Sequence, residues 1–243
     1  MRRVGILGGM GPEATVLLMQ KLIATVPARD DADHIPLVVD QNPQVPSRIK
    51  FLIEGTGEDP APTLVAMARR LVAAGATALA MPCNTAHHFA AAIRGAVPVP
   101  FLDMVALSVA RAAGLAGKGG TVGILASPAT RKIGLFDGAF AGAGIRPLFA
   151  EDDAAMLAAI RRIKAEGAVT EARAALRAAS EELLVRGARI QMIACTEFSL
   201  IADAVANGTE TFDTLDVLVD AIKDFALGDA PDQPGICPQR IFV

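Results

Sequence analysis

The sequence predicts an α/β protein built as two pseudo-symmetric, Rossmann-like parallel-sheet halves that face one cleft. Three observations predict it. Short apolar runs alternate with longer helical patterns along the chain, the signature of parallel strands covered by helices. The segment VGILGG at 4–9 returns as VGILAS at 122–127. A second pair of segments, PCNT at 82–85 and ACTE at 194–197, places Cys83 and Cys195 112 residues apart in matching contexts. In both, an apolar run ends and a cysteine precedes a helical start.

Residues 3–8 read as a first central strand. The glycines of GGMGPEAT permit a tight turn, and Pro12 suits the first turn of a helix running to about Thr25, with Val16, Leu17, Met19 and Ile23 as its apolar positions. Residues 35–39 form strand two, and DQNPQVPSR, with two prolines, is loop. A soft region covers 49–60; Pro62 opens a helix with an apolar stripe at Leu64, Val65, Ala68, Leu71 and Val72, and Gly75 ends it. The strand at 77–81 delivers Cys83, and a helix follows from residue 84 or 85 to Arg94. Residues 97–102 are a short extended segment whose prolines place it at an edge or an element end.

The second half begins with a helix from Asp103 to about Ala113 and the repeated strand 121–126. A Pro-opened helix follows, then a strand at 145–149 and a charged amphipathic helix ending near Gly167. Thr170 caps a helix to Arg186, and strand 189–194 leads to Cys195. Helices at 199–205 and 212–227 and an irregular tail complete the chain. The expected division is a first half of 1–102 completed by 208–243, and a second half of 103–207. Gly9, Arg48, Cys83, Ser127 and Cys195 all follow strand ends, where open α/β sheets bind ligands.

Composition narrows the possibilities. The 243 residues can bury a full core, as one large domain or two small ones. The apolar mass is mostly aliphatic: there is no Trp, no Tyr and ten Phe. A net charge of −3 does not fit a basic nucleic-acid surface. The N-terminus reads as a strand rather than a signal peptide, and no apolar run reaches membrane length, so the expected compartment is the cytoplasm with no membrane partner. Three cysteines in a reducing compartment argue against a disulfide framework. Cys237, in a Pro-flanked tail, receives no role.

A thiolate is stabilised by a helix start and by cationic neighbours. Cys83 and Cys195 both precede helical starts. Two thiols on opposite faces of an amino acid can remove an α-proton and return one from the other side, with no organic cofactor. Arg48 either faces solvent or grips a carboxylate beyond a strand. Lys164 either faces solvent or reaches the second thiol. Cys83 with His87 and His88 could instead suggest zinc, but compact metal motifs are missing. A single cysteine nucleophile with a histidine base is also compatible with these residues, as is a non-catalytic small-ligand binder. His34 reads as structural.

The chain resembles the aspartate/glutamate racemase superfamily, most closely its aspartate racemase branch, over nearly its whole length. The resemblance rests on GGMGPEAT at 8–15, NPQVPSR at 42–48, PCNTAH at 82–87, IKAEG around Lys164, and ACTEFSL at 194–200. It implies two pseudo-symmetric halves with the active site between them, a homodimer, and cofactor-independent racemisation of a free, acidic amino acid. Cys83 and Cys195 are then the catalytic pair. Arg48 takes the side-chain carboxylate, and Lys164 lies near the second thiol. Met10, Asn84, Thr85 and Thr196 resemble the wall that receives the α-carboxylate, with Thr130 facing the same cleft and Glu197 and His87 in support. Met10-Gly11 and the CTE motif depart from the glutamate racemase pattern. Ala194 and SPATRKIGLF at 127–136 also depart from close relatives, which broadens the expected substrate range. Relatives with one cysteine decarboxylate malonates or isomerise maleate; two thiols favour a racemase.

Overall fold

The computed structural model describes residues 1–228; Cys237 and the tail from 229 lie outside the described residues. One sheet contains β1 (Val4–Gly8), β2 (Leu37–Gln41), β3 (Ala78–Ala80) and β4 (Phe101–Leu102), in the order β2-β1-β3-β4. The other contains β5 (Thr121–Ala126), β6 (Arg146–Phe149), β7 (Ile190–Ala194) and β8 (Glu210–Asp213), in the order β6-β5-β7-β8. All pairings are parallel, so helices must carry the chain back between strands. These are α1 (Pro12–Thr25), α2 (Ala61–Ala73), α3 (Ala90–Ala96), α4 (Met104–Ala116), α5 (Pro128–Lys132), α6 (Asp137–Ala143), α7 (Asp153–Glu166), α8 (Thr170–Val185), α9 (Thr196–Ser199) and α10 (Thr214–Leu227). The expected α/β class and the doubled architecture are present.

The repeat extends to packing. Central strands β1 and β5 each carry a glycine under a helix. A Cβ on Gly5 would fall 2.8 Å from the Ala76 Cβ, and one on Gly123 would fall 3.1 Å from the Ala188 Cβ. Leu71 and Leu183 crowd the same two places. Each helix therefore lies close on its strand because the strand has no side chain there.

Alternation along the buried strands splits each sheet's core into two layers. Val4 and Ile6 face α1 and α10, whereas Leu7 and Leu79 face α2 and α3. Val122 and Ile124 face α4 and α6, whereas Leu125 and Ile193 face α7 and α8. Leu215, Leu218, Val219, Ile222 and Phe225 bring α10 onto the core of the first sheet. β8 pairs with β7, so the chain leaves the second sheet at Asp213. Its sequence, ETFD, is a mostly polar edge strand without an alternating apolar signal.

Several local expectations shift. The inward face of α1 is Ala14, Thr15, Leu18 and Leu22; Val16, Met19 and Ile23 are exposed. Apolar residues on both sides of this helix leave its inward face ambiguous in sequence. The soft region holds a π-helical turn, Lys50–Glu54, closed by left-handed Gly55. A 3₁₀ turn, Thr85–Phe89, precedes α3. Only Phe101 and Leu102 pair in the 97–102 segment, because Pro98 and Pro100 cannot donate to the ladder. Thr170 starts α8 and makes no capping bond. Among the described residues no helix is long and apolar enough to cross a membrane.

Candidate active site

Each sheet changes direction of winding between its two central strands, and such switch points open a crevice at the strands' carboxyl ends. β1 and β3 deliver Gly9–Gly11 and Cys83 there; β5 and β7 deliver Ser127 and Cys195. All of them line one cleft of about 520 Å³, within the range usual for small-molecule sites.

The turn after β1 requires glycine. Gly9 has φ +90°, and a Cβ there would sit 2.4 Å from the Asn42 carbonyl carbon. Its N–H donates to Thr15 Oγ1 at 3.0 Å, fixing the turn against the first coil of α1. Gly11 flanks α1 without a side-chain cap. A methyl group on Gly11 would lie 3.6 Å from both Lys164 Nζ and Glu197 Oε1. An ion pair from the second half thus meets the N-terminus of α1 from the first.

That ion pair also governs the second thiol. The Cys195 thiol donates to Glu197 Oε2 at 3.1 Å, and Lys164 pairs with Glu197 Oε1. Burial pushes the Cys195 thiol well up, and the Glu197 charge and the hydrogen bond it accepts push it further; Lys164 only partly opposes them. Burial works against the Lys164 ammonium, but Glu197 and the fields of both thiols outweigh it and hold its pKa above the ordinary value. The Cys195 thiol therefore holds its proton in the resting protein, with a cation beside it.

Cys83 is buried in the part of the cleft lining that the first half contributes. His87 Nδ1 lies 2.9 Å from the Cys83 carbonyl, while Nε2 accepts from the Met104 N–H at 3.1 Å. The acceptor role of Nε2 places the proton on Nδ1, which donates to Cys83. Burial pushes the His87 pKa down, against Asp103, so the ring is neutral. It holds the Cys83 peptide rather than the thiol.

Arg48 lines the cleft with its guanidinium folded onto its own loop. Nη1 donates to Val45 and Pro46 carbonyls at 3.3 and 3.0 Å, and buried Nε has no partner among the described residues. Lys50 and Arg161 add two further cations that sequence reasoning missed, although Lys50 stands only two positions beyond Arg48. Arg161 bonds Glu54 at 2.9 Å, and Lys132 donates to the Ile53 carbonyl at 2.6 Å, so both tie the π-helical turn across the cleft.

The cleft brings together Met10, Arg48, Cys83, Thr85, Lys164, Cys195 and Glu197. It does not include Asn84, Thr130, Thr196 or His87 in its lining. Asn84 Nδ2 turns away to Thr214 Oγ1 at 2.9 Å. Thr130 donates to the Ser127 carbonyl, an ordinary helix-start bond, and Thr196 is buried within α9. Among the described residues no three His, Cys, Asp or Glu side chains gather as a metal site would need.

The fold and the cleft define a class: a duplicated two-sheet α/β protein with one thiol from each half at a shared crevice lined by four cations and three carboxylates. More specifically, the chain belongs to the Asp/Glu/Hydantoin racemase family, whose model matches residues 7–222. It is similar to the solved aspartate racemase of Picrophilus torridus, with 25% identity over 93% of this chain and 94% of that one and a TM-score of 0.82. An aspartate racemase homologue from Pyrococcus horikoshii OT3 (21% identity, 93% and 100% covered, TM-score 0.71) shares the fold. So does the glutamate racemase of Francisella tularensis, solved with D-glutamate (15% identity, 94% and 81% covered, TM-score 0.66).

Proposed function

We propose that this protein is a cofactor-independent racemase that interconverts L- and D-aspartate, with Cys83 and Cys195 as its two acid/base groups. The observation that carries this reading is the delivery of one thiol by each half, from equivalent strand ends, into one cleft lined by Arg48, Lys50 and Lys164. Lys164 and Arg161 already pair with Glu197 and Glu54, which leaves Arg48 and Lys50 for a substrate with two carboxylates; a neutral amino acid would leave one of them without a partner.

The reaction needs only proton transfers. For one enantiomer, the Cys83 thiolate takes the α-proton and the C–H pair moves toward the α-carboxylate. Cys195 then gives its proton to the opposite face of the carbanion. For the other enantiomer the two thiols exchange roles, and each turnover leaves the proton on the other sulfur. Lys164 and the first N–H groups of α1 stabilise the charge that spreads onto the α-carboxylate. Arg48 takes the distal carboxylate. Glu197 holds the Cys195 proton in place and releases it toward the developing carbanion. The homodimer implied by the sequence resemblance is part of the same proposal, and sedimentation equilibrium measures it.

The test is a panel of L- and D-amino acids in deuterated water with no added cofactor, following inversion by circular dichroism and α-hydrogen exchange by NMR. Inversion and exchange with both aspartate enantiomers support the reading. Activity with glutamate or neutral amino acids and none with aspartate overturns the substrate, and no exchange with any amino acid overturns the reaction.

A further inference from the structure

The two thiol loops meet a second time, away from the cleft. Thr214 opens α10 and Asp213 precedes it, where the chain passes from β8 in the second sheet to a helix that packs on the first. Asn84, next to Cys83, donates its Nδ2 to Thr214 Oγ1 at 2.9 Å. Ser199, on the short helix that Cys195 begins, donates Oγ to Asp213 Oδ1 at 2.9 Å. Oδ1 also accepts the Leu215 N–H at 2.8 Å, the ordinary N-cap bond. All four side chains are at most 6% exposed.

From this geometry we infer that Asp213 and Thr214 are positioning residues, a clamp through which the N-terminus of α10 sets the separation of the two cysteine loops. The inference rests on the two-thiol reading given above. Each half contributes one hydrogen bond, and the two acceptors are adjacent in the chain, so the peptide between them fixes how far apart Asn84 and Ser199 sit. A racemase needs both sulfurs at reacting distance from one carbon, and proton transfer is sensitive to small displacements of a thiol. No part of the clamp lines the cleft, so it acts through Cys83 and Cys195 and not on the substrate.

Burial supports the picture. Oδ2 of Asp213 and Oδ1 of Asn84 have no hydrogen-bond partner among the described residues, and burial pushes the Asp213 carboxyl up to about 7. The charged groups that act on it are Asp216 of α10, which raises it further, and Lys21 of α1, which lowers it. Below about pH 7 the clamp is neutral and keeps both hydrogen bonds without placing a charge behind the thiols.

The experiment compares Thr214→Val, Ser199→Ala, their double variant and the conservative Thr214→Ser. Steady-state kinetics is read in both directions. The alkylation rate of each thiol by iodoacetamide is read by peptide mass spectrometry. Thr214→Val is expected to lower kcat about tenfold with KM within twofold, and to change alkylation chiefly at Cys83. Ser199→Ala is expected to do the same chiefly at Cys195, and the double variant to lose less than the product of the single effects. Thr214→Ser is expected to restore wild-type values. Unchanged kcat and unchanged thiol reactivity in folded Thr214→Val protein overturn the clamp, as does a loss of melting temperature alone. If wild-type protein exchanges no α-hydrogen, the racemase reading has failed; the alkylation pattern then still decides whether α10 positions the thiol loops.

Discussion

Replacing Asp213 with asparagine isolates one ionisation. The Asp213 carboxyl is 4% exposed and its pKa is pushed from 3.8 to about 7, chiefly by burial. Asparagine keeps an acceptor oxygen for Ser199 and for the Leu215 N–H but cannot ionise. The sign follows from proton counting. Above pH 3.8 the unfolded chain loses this proton, while the folded protein keeps it until about pH 7. The folded state therefore binds more protons in that window, and wild-type stability falls as pH rises through it, by about 1.4 kcal/mol per unit. Above pH 7 both states are ionised and the loss is complete, at about 4 kcal/mol for a rise of this size. Urea unfolding of wild type and Asp213→Asn at 25 °C, in steps from pH 4 to pH 8, measures it. Groups common to both proteins cancel in the difference. The variant should gain on wild type by about 4 kcal/mol across the range, and nearly all of the gain should appear below pH 7. Parallel stability profiles would refute the argument and place Asp213 in a solvated or ion-paired setting.

Four further outcomes are expected. Cys83→Ala and Cys195→Ala should each lower aspartate racemisation by at least about a hundredfold with unchanged far-UV circular dichroism, since on the proposed mechanism each removes one of two proton-transfer groups. Arg48→Ala should raise KM for aspartate about thirtyfold, the loss of a charge-assisted hydrogen bond worth about 2 kcal/mol, with little change in melting temperature; unchanged aspartate kinetics removes its assigned role. Glu197→Gln should bring the Cys195 thiol down towards its ordinary range, because a negative neighbour is lost while Lys164 remains; alkylation rate against pH reads this, and an unmoved or raised profile contradicts it. Gly9→Ala should destabilise the fold by about 3 kcal/mol in urea unfolding, since alanine resists φ +90° and its methyl would meet the Asn42 backbone.

Much of this molecule is legible in its sequence because the fold is written twice. VGIL recurs with its glycine in place, and the two strands so marked are the centres of the two sheets. Cys83 and Cys195 were findable because each breaks an apolar strand just before a helical start. Other features carried no local signal. β8 is polar and half exposed, so its membership in the second sheet is set by pairing with β7 and not by its own residues. The inward face of α1 could not be chosen from periodicity, because apolar side chains flank it on both sides. Asn84 and Thr196 follow their cysteines directly, which suggests cleft residues. Yet a one-residue step along a tight turn points a side chain elsewhere, and Asn84 goes to a helix 130 residues away. Lys50 and Arg161 enter the cleft through a π-helical turn and an ion pair across the halves, neither of which has a sequence period.

Duplication makes the scaffold symmetric, but the charges in it are not. Lys164 and Glu197 both belong to the second half, and among the described residues no such pair bonds the Cys83 thiol. On the proposed two-thiol mechanism that pair holds a proton at Cys195, so an enantiomer whose α-hydrogen faces Cys83 meets a donor already in place behind it. For the opposite enantiomer, Cys195 must give up that proton before it can act as the base. Because the overall equilibrium between mirror-image amino acids is one, this difference cannot favour either product. It must appear instead as paired differences in kcat and KM that cancel in their ratio. A racemase with this site should show unequal kcat values for L- and D-aspartate and equal kcat/KM values, and Glu197→Gln should shrink the inequality in kcat. The asymmetry of one ion pair would then be readable in steady-state kinetics, separately from the symmetry of the fold that carries it.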